Sequence, residues 1–146
     1  MMEIKQLKPS KNSRFKQGYI RRDSCKKYFG EGPIIFRSSY ERKFVAWLES
    51  CDKVSRWTSE NVSIPYLWVD GKMHRYYPDY FVEMVDGSRI LVEIKPYNQT
   101  HQPVNVNEYN LREWSKNKSK WEAALEFCKR NNMKFQIITE KTIDKL

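Results

Sequence analysis

Two turn signals constrain this chain more than any other feature. Asp70-Gly71 and Asp86-Gly87-Ser88 cut the middle of the sequence into three short runs with strand character. Val62, Ile64, Tyr66 and Trp68 fall at every second position of the first run. The second extends from about Met73 to Val85, and the third from Arg89 to Lys95. A chain with three such runs back to back is committed to an antiparallel meander in its centre. A three-residue Asp86-Gly87-Ser88 loop places Val85 opposite Arg89, Asp79 opposite Lys95 and Phe81 opposite Glu93. Side chains alternate along a strand with period two, so Asp79, Glu93 and Lys95 then share one face of the sheet. A two-residue turn would split them, unless a bulge sits at Pro78, which cannot donate to a ladder.

Helices flank the meander. Ser38 and Glu41 have the spacing of a capping box, and Tyr40, Phe44, Trp47, Leu48 and Cys51 follow on one face, predicting a helix over about 39–51. Glu41 lies at the edge of that face and can point toward whatever the helix packs on. After Pro96 a polar, irregular stretch runs to about Asn110, long for a plain connection and therefore expected to be a functional loop. Trp114, Trp121, Ala124, Leu125 and Cys128 then mark a second helix over about 114–131, and Phe135, Ile137 and Ile138 a last strand. Residues 1–31 show no sustained periodicity and read as an extended basic arm, ordered in part by packing or by a partner. The expected architecture is mixed α/β in the order αβββαβ, with one domain over 32–146 behind that arm.

Composition enters through charge. The 146 residues carry 27 Lys and Arg against 18 Asp and Glu, a net +9. The excess sits in the flanks: residues 1–31 are net +6 and 111–134 net +4, while 61–95 are net −1. Basic flanks around a slightly acidic centre suit a protein that grips phosphates at its edges and keeps carboxylates inside. Cys25, Cys51 and Cys128 are far apart, with no CxxC pair, so a structural zinc site is not expected. The lack of an apolar run near ~20 residues argues against a spanning helix, and the polar start argues against a secretory signal.

The chemistry is concentrated in Pro78-Asp79 on one strand and Glu93-Ile94-Lys95 on the next. Carboxylates converging on one point suit a hard cation such as Mg²⁺, which prefers oxygen ligands and keeps several waters. Mn²⁺ fits the same donors. An ion so held polarises a phosphodiester and acidifies a bound water. A lysine on the same face can orient or deprotonate that water, or neutralise developing charge. Each group has an ordinary alternative: Glu-x-Lys on a strand is commonly a solvent-facing charge ladder, and Glu41 has work as a cap. Lys116, Lys118 and Lys120 either follow a DNA backbone or are solvated. Of Tyr76 and Tyr77, one is expected to line a groove and the other to pack the sheet. His74 reads as a surface histidine.

These residues resemble the PD-(D/E)xK nucleases, and within them the head completion nucleases of T-even bacteriophages. The resemblance rests on Phe36-Arg37-Ser38-Ser39-Tyr40-Glu41, Ser59-Glu60 with Ile64-Pro65-Tyr66, and Arg75-Tyr76-Tyr77 before Asp79. It continues in Val92-Glu93-Ile94-Lys95-Pro96, Lys120-Trp121-Glu122-Ala123-Ala124, Lys134-Phe135 and Thr139-Glu140, covering roughly 33–141. Transposon-end endonucleases share the catalytic pattern. The resemblance implies a restriction-endonuclease-like fold, with Asp79, Glu93 and Glu41 as metal ligands and Lys95 as the catalytic lysine. It implies a Mg²⁺-dependent endodeoxyribonuclease of late head assembly, in the host cytoplasm with virion association open. DNA would be met with little sequence specificity, through Arg37, Arg75, Tyr76, Lys116, Lys118 and Lys120, and head or portal proteins are further expected partners. A DNA-binding head completion factor without activity, and a transposon-end or junction endonuclease, are the alternatives. Oligomeric state is left open. Glu60 reads equally as an acid behind the metal site or as a solvated charge.

Overall fold

The computed structural model describes residues 18–146; residues 1–17, and with them the first part of the expected arm, lie outside the described residues. The chain opens with β1 (Gly18–Ile20), which pairs antiparallel with β2 (Ile34–Phe36), and then forms α1 (Ser39–Ser50). Five strands follow before the long helix: β3 (Val54–Ser59), the hairpin β4 (Ile64–Leu67) and β5 (Met73–Tyr76), then β6 (Tyr80–Met84) and β7 (Arg89–Ile94). After α2 (Glu108–Arg130) come β8 (Lys134–Ile138) and a closing turn of helix, α3 (Glu140–Ile143). The main sheet has the order β3-β6-β7-β8, antiparallel except for the parallel β7–β8 pair.

The mixed α/β architecture and the order αβββαβ are as expected, but the strands that fill the order differ. The first strand of the main sheet is Val54–Ser59, which the apolar pattern did not mark. The run at Val62–Trp68 instead forms β4 in a separate two-stranded sheet inserted between β3 and β6. The single strand expected from Met73 to Val85 breaks at Tyr77, Pro78 and Asp79 into β5 and β6, as a residue without an amide hydrogen demands. The register also shifts. Glu83 pairs with Arg89, Phe81 with Leu91 and Tyr80 with Val92, so Phe81 does not face Glu93. The loop is Val85-Asp86-Gly87, closed by Met84 N–H to Ser88 C=O at 2.8 Å, and Gly87 takes the left-handed conformation (φ 88°) that ends such three-residue loops. Continued by one step, this register sets Asp79 against Glu93, not against Lys95. The slip is two residues, so it preserves which face each side chain occupies.

The alternation along β6 and β7 divides the core. Tyr80, Val82 and Val92 face α1 and pack with Phe44, Val45, Leu48, Trp57 and Ile143. Phe81 and Leu91 face α2 and the hairpin, packing with Ile64, Tyr66, Tyr76, Trp121, Ala124 and Cys128. Full burial of a side chain such as Leu48 or Leu91 contributes about 1.5–3 kcal/mol. α1 begins where Ser38 Oγ accepts the Glu41 amide at 3.2 Å. α2 begins six residues before the expected start, capped by Asn107 Oδ1 on the Asn110 amide at 2.8 Å. The connection after Pro96 is correspondingly shorter and contains a 3₁₀ turn at Tyr97–Gln99.

Residues 18–31 are ordered by packing. Cys25 is buried, and Tyr28 bridges to Trp57 alongside β3. Lys27 Nζ donates to the Leu48 and Cys51 carbonyls at 3.2 and 2.6 Å, closing the C-terminal end of α1, where a cation is favoured. No helix among the described residues is long and apolar enough to cross a membrane.

Candidate active site

Asp79 stands at the break between β5 and β6, and Glu93 and Lys95 at the far end of β7. Off the ladder, the Asp79 backbone carbonyl still accepts the Glu60 amide at 3.0 Å. Its side chain then fills a ladder position of its own: Oδ2 accepts the Ile94 amide at 2.7 Å. The aspartate is thereby tied to the peptide between Glu93 and Lys95. Glu93 is buried, and its two oxygens have different partners. Tyr76 donates its hydroxyl to Oε1 at 2.8 Å, while Lys95 Nζ lies 3.7 Å from Oε2. The expected common face for Asp79, Glu93 and Lys95 is present.

Glu41 reaches the same end of the sheet from the first turn of α1. Its Oε2 accepts the Arg37 amide at 3.1 Å and faces the Ser38 hydroxyl at 3.4 Å, so it completes its own cap. The Arg37 guanidinium pairs with Glu60, which is buried at the end of β3 with a left-handed backbone (φ 43°). Glu60 is therefore not a solvated charge. Through its amide on Asp79 and its carboxylate on Arg37, it links the strand break to the start of α1.

The acids repel one another. Burial first, then the Glu93 and Glu41 carboxylates, push the Asp79 carboxyl well above the usual range, against the pull of the Ile94 amide. Glu93 is also raised by burial, with Lys95 and the Tyr76 hydroxyl opposing. Burial raises Glu41 to about 7, the Arg37 amide and guanidinium opposing and Glu60 adding to the shift. Glu41 therefore titrates higher folded than unfolded, where its value is near 4.5. The metal-free chain binds more protons when folded and must lose stability as pH rises from about 4.5 through about 7, by roughly 3 kcal/mol once the shift is complete. Glu41→Gln keeps an oxygen for the Arg37 amide. We expect it to raise the melting temperature in EDTA at pH 8 and to change it little at pH 5; equal shifts at both pH values would contradict this origin.

Among the described residues, no three His, Cys, Asp or Glu side chains are drawn together as a finished cation cage. The donor set still suits a hard divalent ion. Asp79 and Glu93 supply oxygens only, from facing strands, and their repulsion is the kind a cation relieves. Mg²⁺ is commonly held by one or two carboxylates plus waters and substrate oxygens.

The residues expected to meet DNA are spread differently. Lys116 lies over the Trp68 ring (5.0 Å), beside the hairpin, and Lys118 over Trp114 (6.0 Å), on a different face of α2. Arg75 donates to Ser63 Oγ at 3.0 Å. Arg37 is engaged with Glu60. Tyr76 is buried, with its hydroxyl on Glu93, so it braces that carboxylate and does not form a groove wall. His74 pairs with Asp70 at 2.8 Å in the hairpin, away from the acids. Lys120 comes closer to the centre than expected. Its ammonium lies over the Tyr76 ring, and burial and Lys95 lower its pKa while Glu93 and Glu113 raise it. Sequence reasoning also missed Asn117, buried in α2. Its signal was available: a polar residue at i−4 and i−7 from Trp121 and Ala124, inside an apolar stripe.

Comparison with known proteins places this geometry in context. The model of a family described as "TnsA-like endonuclease N terminal" matches residues 51–140, a span that includes Asp79, Glu93 and Lys95 but not Glu41. The chain is also similar to a protein of Enterobacteria phage T4 named head completion nuclease. The two are 34% identical over 128 residues, covering 78% of this chain and 84% of the phage T4 protein.

Proposed function

The chain belongs to the TnsA-like endonuclease family, of the PD-(D/E)xK type, and on that premise we propose that it is a divalent-metal-dependent DNA endonuclease acting in phage head completion. The observation that carries the metal-dependent reading is the facing pair Asp79 and Glu93 with Lys95 beside it. The role in head completion is carried over from the name of the T4 relative.

Asp79 and Glu93 would hold the ion, with Glu41 adding a further carboxylate, and the oxygen donors suit Mg²⁺ and Mn²⁺ alike. When bound, the ion supplies charge neutralisation at the phosphate and a more acidic water. The chain's own residues prepare the site. The Ile94 amide and the Tyr76 hydroxyl each fix one carboxylate oxygen, so neither acid has to find its rotamer when DNA arrives. Lys95 places a positive charge where charge develops on the phosphoryl oxygens and can pass a proton to or from the attacking water. Lys116, Lys118 and Arg75 would track the backbone, and Lys120, nearer the acids, the phosphates next to the break. A hairpin and a helix that present lysines and arginines, groups that meet phosphates whatever the sequence, support cutting with little sequence preference.

The test is cleavage of supercoiled, linear and branched DNA with Mg²⁺, with Mn²⁺ or in EDTA. Cutting that requires the divalent ion is expected. Cutting that persists undiminished in EDTA would overturn the metal-dependent reading. DNA binding without cutting on any substrate would favour a head completion factor that works by binding. A strong preference for four-way junctions over flaps and free ends would favour a junction or transposon-end role over head processing.

A further inference from the structure

A second feature adjoins Lys95. The 3₁₀ turn and loop after Pro96 stand off from the first half of α2 and leave a cleft of 430 Å³ between them. Its walls include Lys95, Gln99, Asn105, Tyr109, Trp114 and Asn117. The volume is in the range of ordinary small-ligand sites, roughly 300–1,000 Å³. Resting on the endonuclease reading above, we infer that this cleft receives one unpaired nucleoside of the substrate strand, next to the phosphate being cut.

The wall chemistry selects that occupant. Carboxamides from both sides offer donors and acceptors without charge, which suits the edge of a base. Tyr109 and Trp114 offer flat apolar surfaces, which suit its faces. Asn117 is 7% exposed, lines the cleft and takes no side-chain partner among the described residues. Its polar atoms are not among those sealed from solvent, so an amide with no protein partner offers its donors and acceptor to whatever enters the cleft. Tyr109, by contrast, is 70% exposed at the rim, an aromatic ring that packs on little of its own protein. The cleft is also held open. Glu140 accepts the Tyr97 amide at 2.9 Å, Lys141 lies 3.4 Å over the Tyr97 ring, and Asn110 Nδ2 donates to the Asn105 carbonyl at 2.8 Å. A preformed slot loses little entropy on filling. A base paired inside a duplex cannot enter without unstacking, which costs a few kcal/mol, whereas a base already unpaired pays none of it. The slot therefore makes the enzyme selective for flaps, frayed ends and gaps.

Fluorescence and cleavage together test this. The full chain carrying Asp79→Asn is titrated, without divalent ion, against DNA bearing 2-aminopurine either unpaired beside a duplex junction or paired within the duplex. Severalfold quenching of the unpaired probe alone is expected, reduced by adding Tyr109→Ala; free deoxyadenosine monophosphate should compete only weakly. In the Mg²⁺ assay, Tyr109→Ala should lower kcat/KM on the unpaired substrate about tenfold more than on perfect duplex, the loss of one stacked base. Equal quenching of both probes, or equal loss on both substrates, would overturn the inference. The two readings fail separately. Cutting without preference or selective quenching removes the cleft and leaves the nuclease; selective quenching with no cutting on any substrate removes the nuclease and leaves a nucleoside site.

Discussion

Asp79→Asn is expected to reduce DNA cleavage by at least about a thousandfold while leaving the protein folded. The magnitude is that of removing a group that holds both the cation and the alignment of a reacting phosphate. The fold should survive because the structural tie of Asp79 is an acceptor bond. Asn Oδ1 can take the Ile94 amide as Oδ2 does at 2.7 Å, and the backbone carbonyl that accepts the Glu60 amide is unchanged. Removing the charge also relieves the repulsion that lifts the Asp79 carboxyl above its ordinary value. A folded-state pKa raised above the unfolded one takes stability away as pH rises through that interval. The metal-free variant should therefore melt no lower than the parent at pH 8, with little difference in acid. Cleavage kinetics with Mg²⁺, and melting in EDTA at both pH values, check the two halves. An inactive variant that also melts well below its parent would mean that Asp79 is structural. A variant retaining a tenth or more of the activity would remove Asp79 from the chemistry.

How much of this arrangement could be read beforehand depended on whether local pattern and burial coincide. α1 was legible because its cap, Ser38 with Glu41, and its buried face, Phe44 and Leu48, are set by spacing within one helix. β3 was not. Val54, Trp57 and Thr58 are buried while Ser55 and Arg56 are exposed, and the register shifts between Val54 and Arg56, so the bulge erases the period-two signal. The first turns of α2 were missed for another reason: Tyr109 and Leu111 are exposed there, and a helix that packs on nothing prints no apolar stripe. The facing of Asp79, Glu93 and Lys95 survived an error of two residues in register because faces repeat every two. An error of one would have scattered them. The roles of Tyr76 and Glu60 were illegible on principle, since each follows from a partner distant in sequence, Glu93 for one and Arg37 for the other.

Lys95→Gln should slow cleavage by about 10² to 10⁴-fold, the range for losing a positioned proton-transfer group, with much less effect on DNA affinity. One lysine among many basic groups adds little to binding: the chain has 27 Lys and Arg, and a single phosphate contact changes the salt dependence of binding by about one unit. What distinguishes Lys95 is its address. The end of β7 aims it at the Glu93 carboxylate, 3.7 Å away, on the face shared with Asp79. Lys120 is the only other cation that the surroundings of Glu93 implicate among the described residues, and it cannot replace Lys95, because it enters from α2 over the Tyr76 ring. Lys95→Arg separates the two duties open to the side chain. Arginine keeps the positive charge but does not give up a proton near neutral pH. If Lys95 only neutralises the phosphoryl oxygens, Lys95→Arg should recover most of what Lys95→Gln loses. If it moves a proton, Lys95→Arg should stay within about tenfold of Lys95→Gln and lose the basic limb of the pH–rate profile. Single-turnover cleavage across pH 6–10 reads both variants against the parent, and full activity in Lys95→Gln would take the lysine out of the reaction.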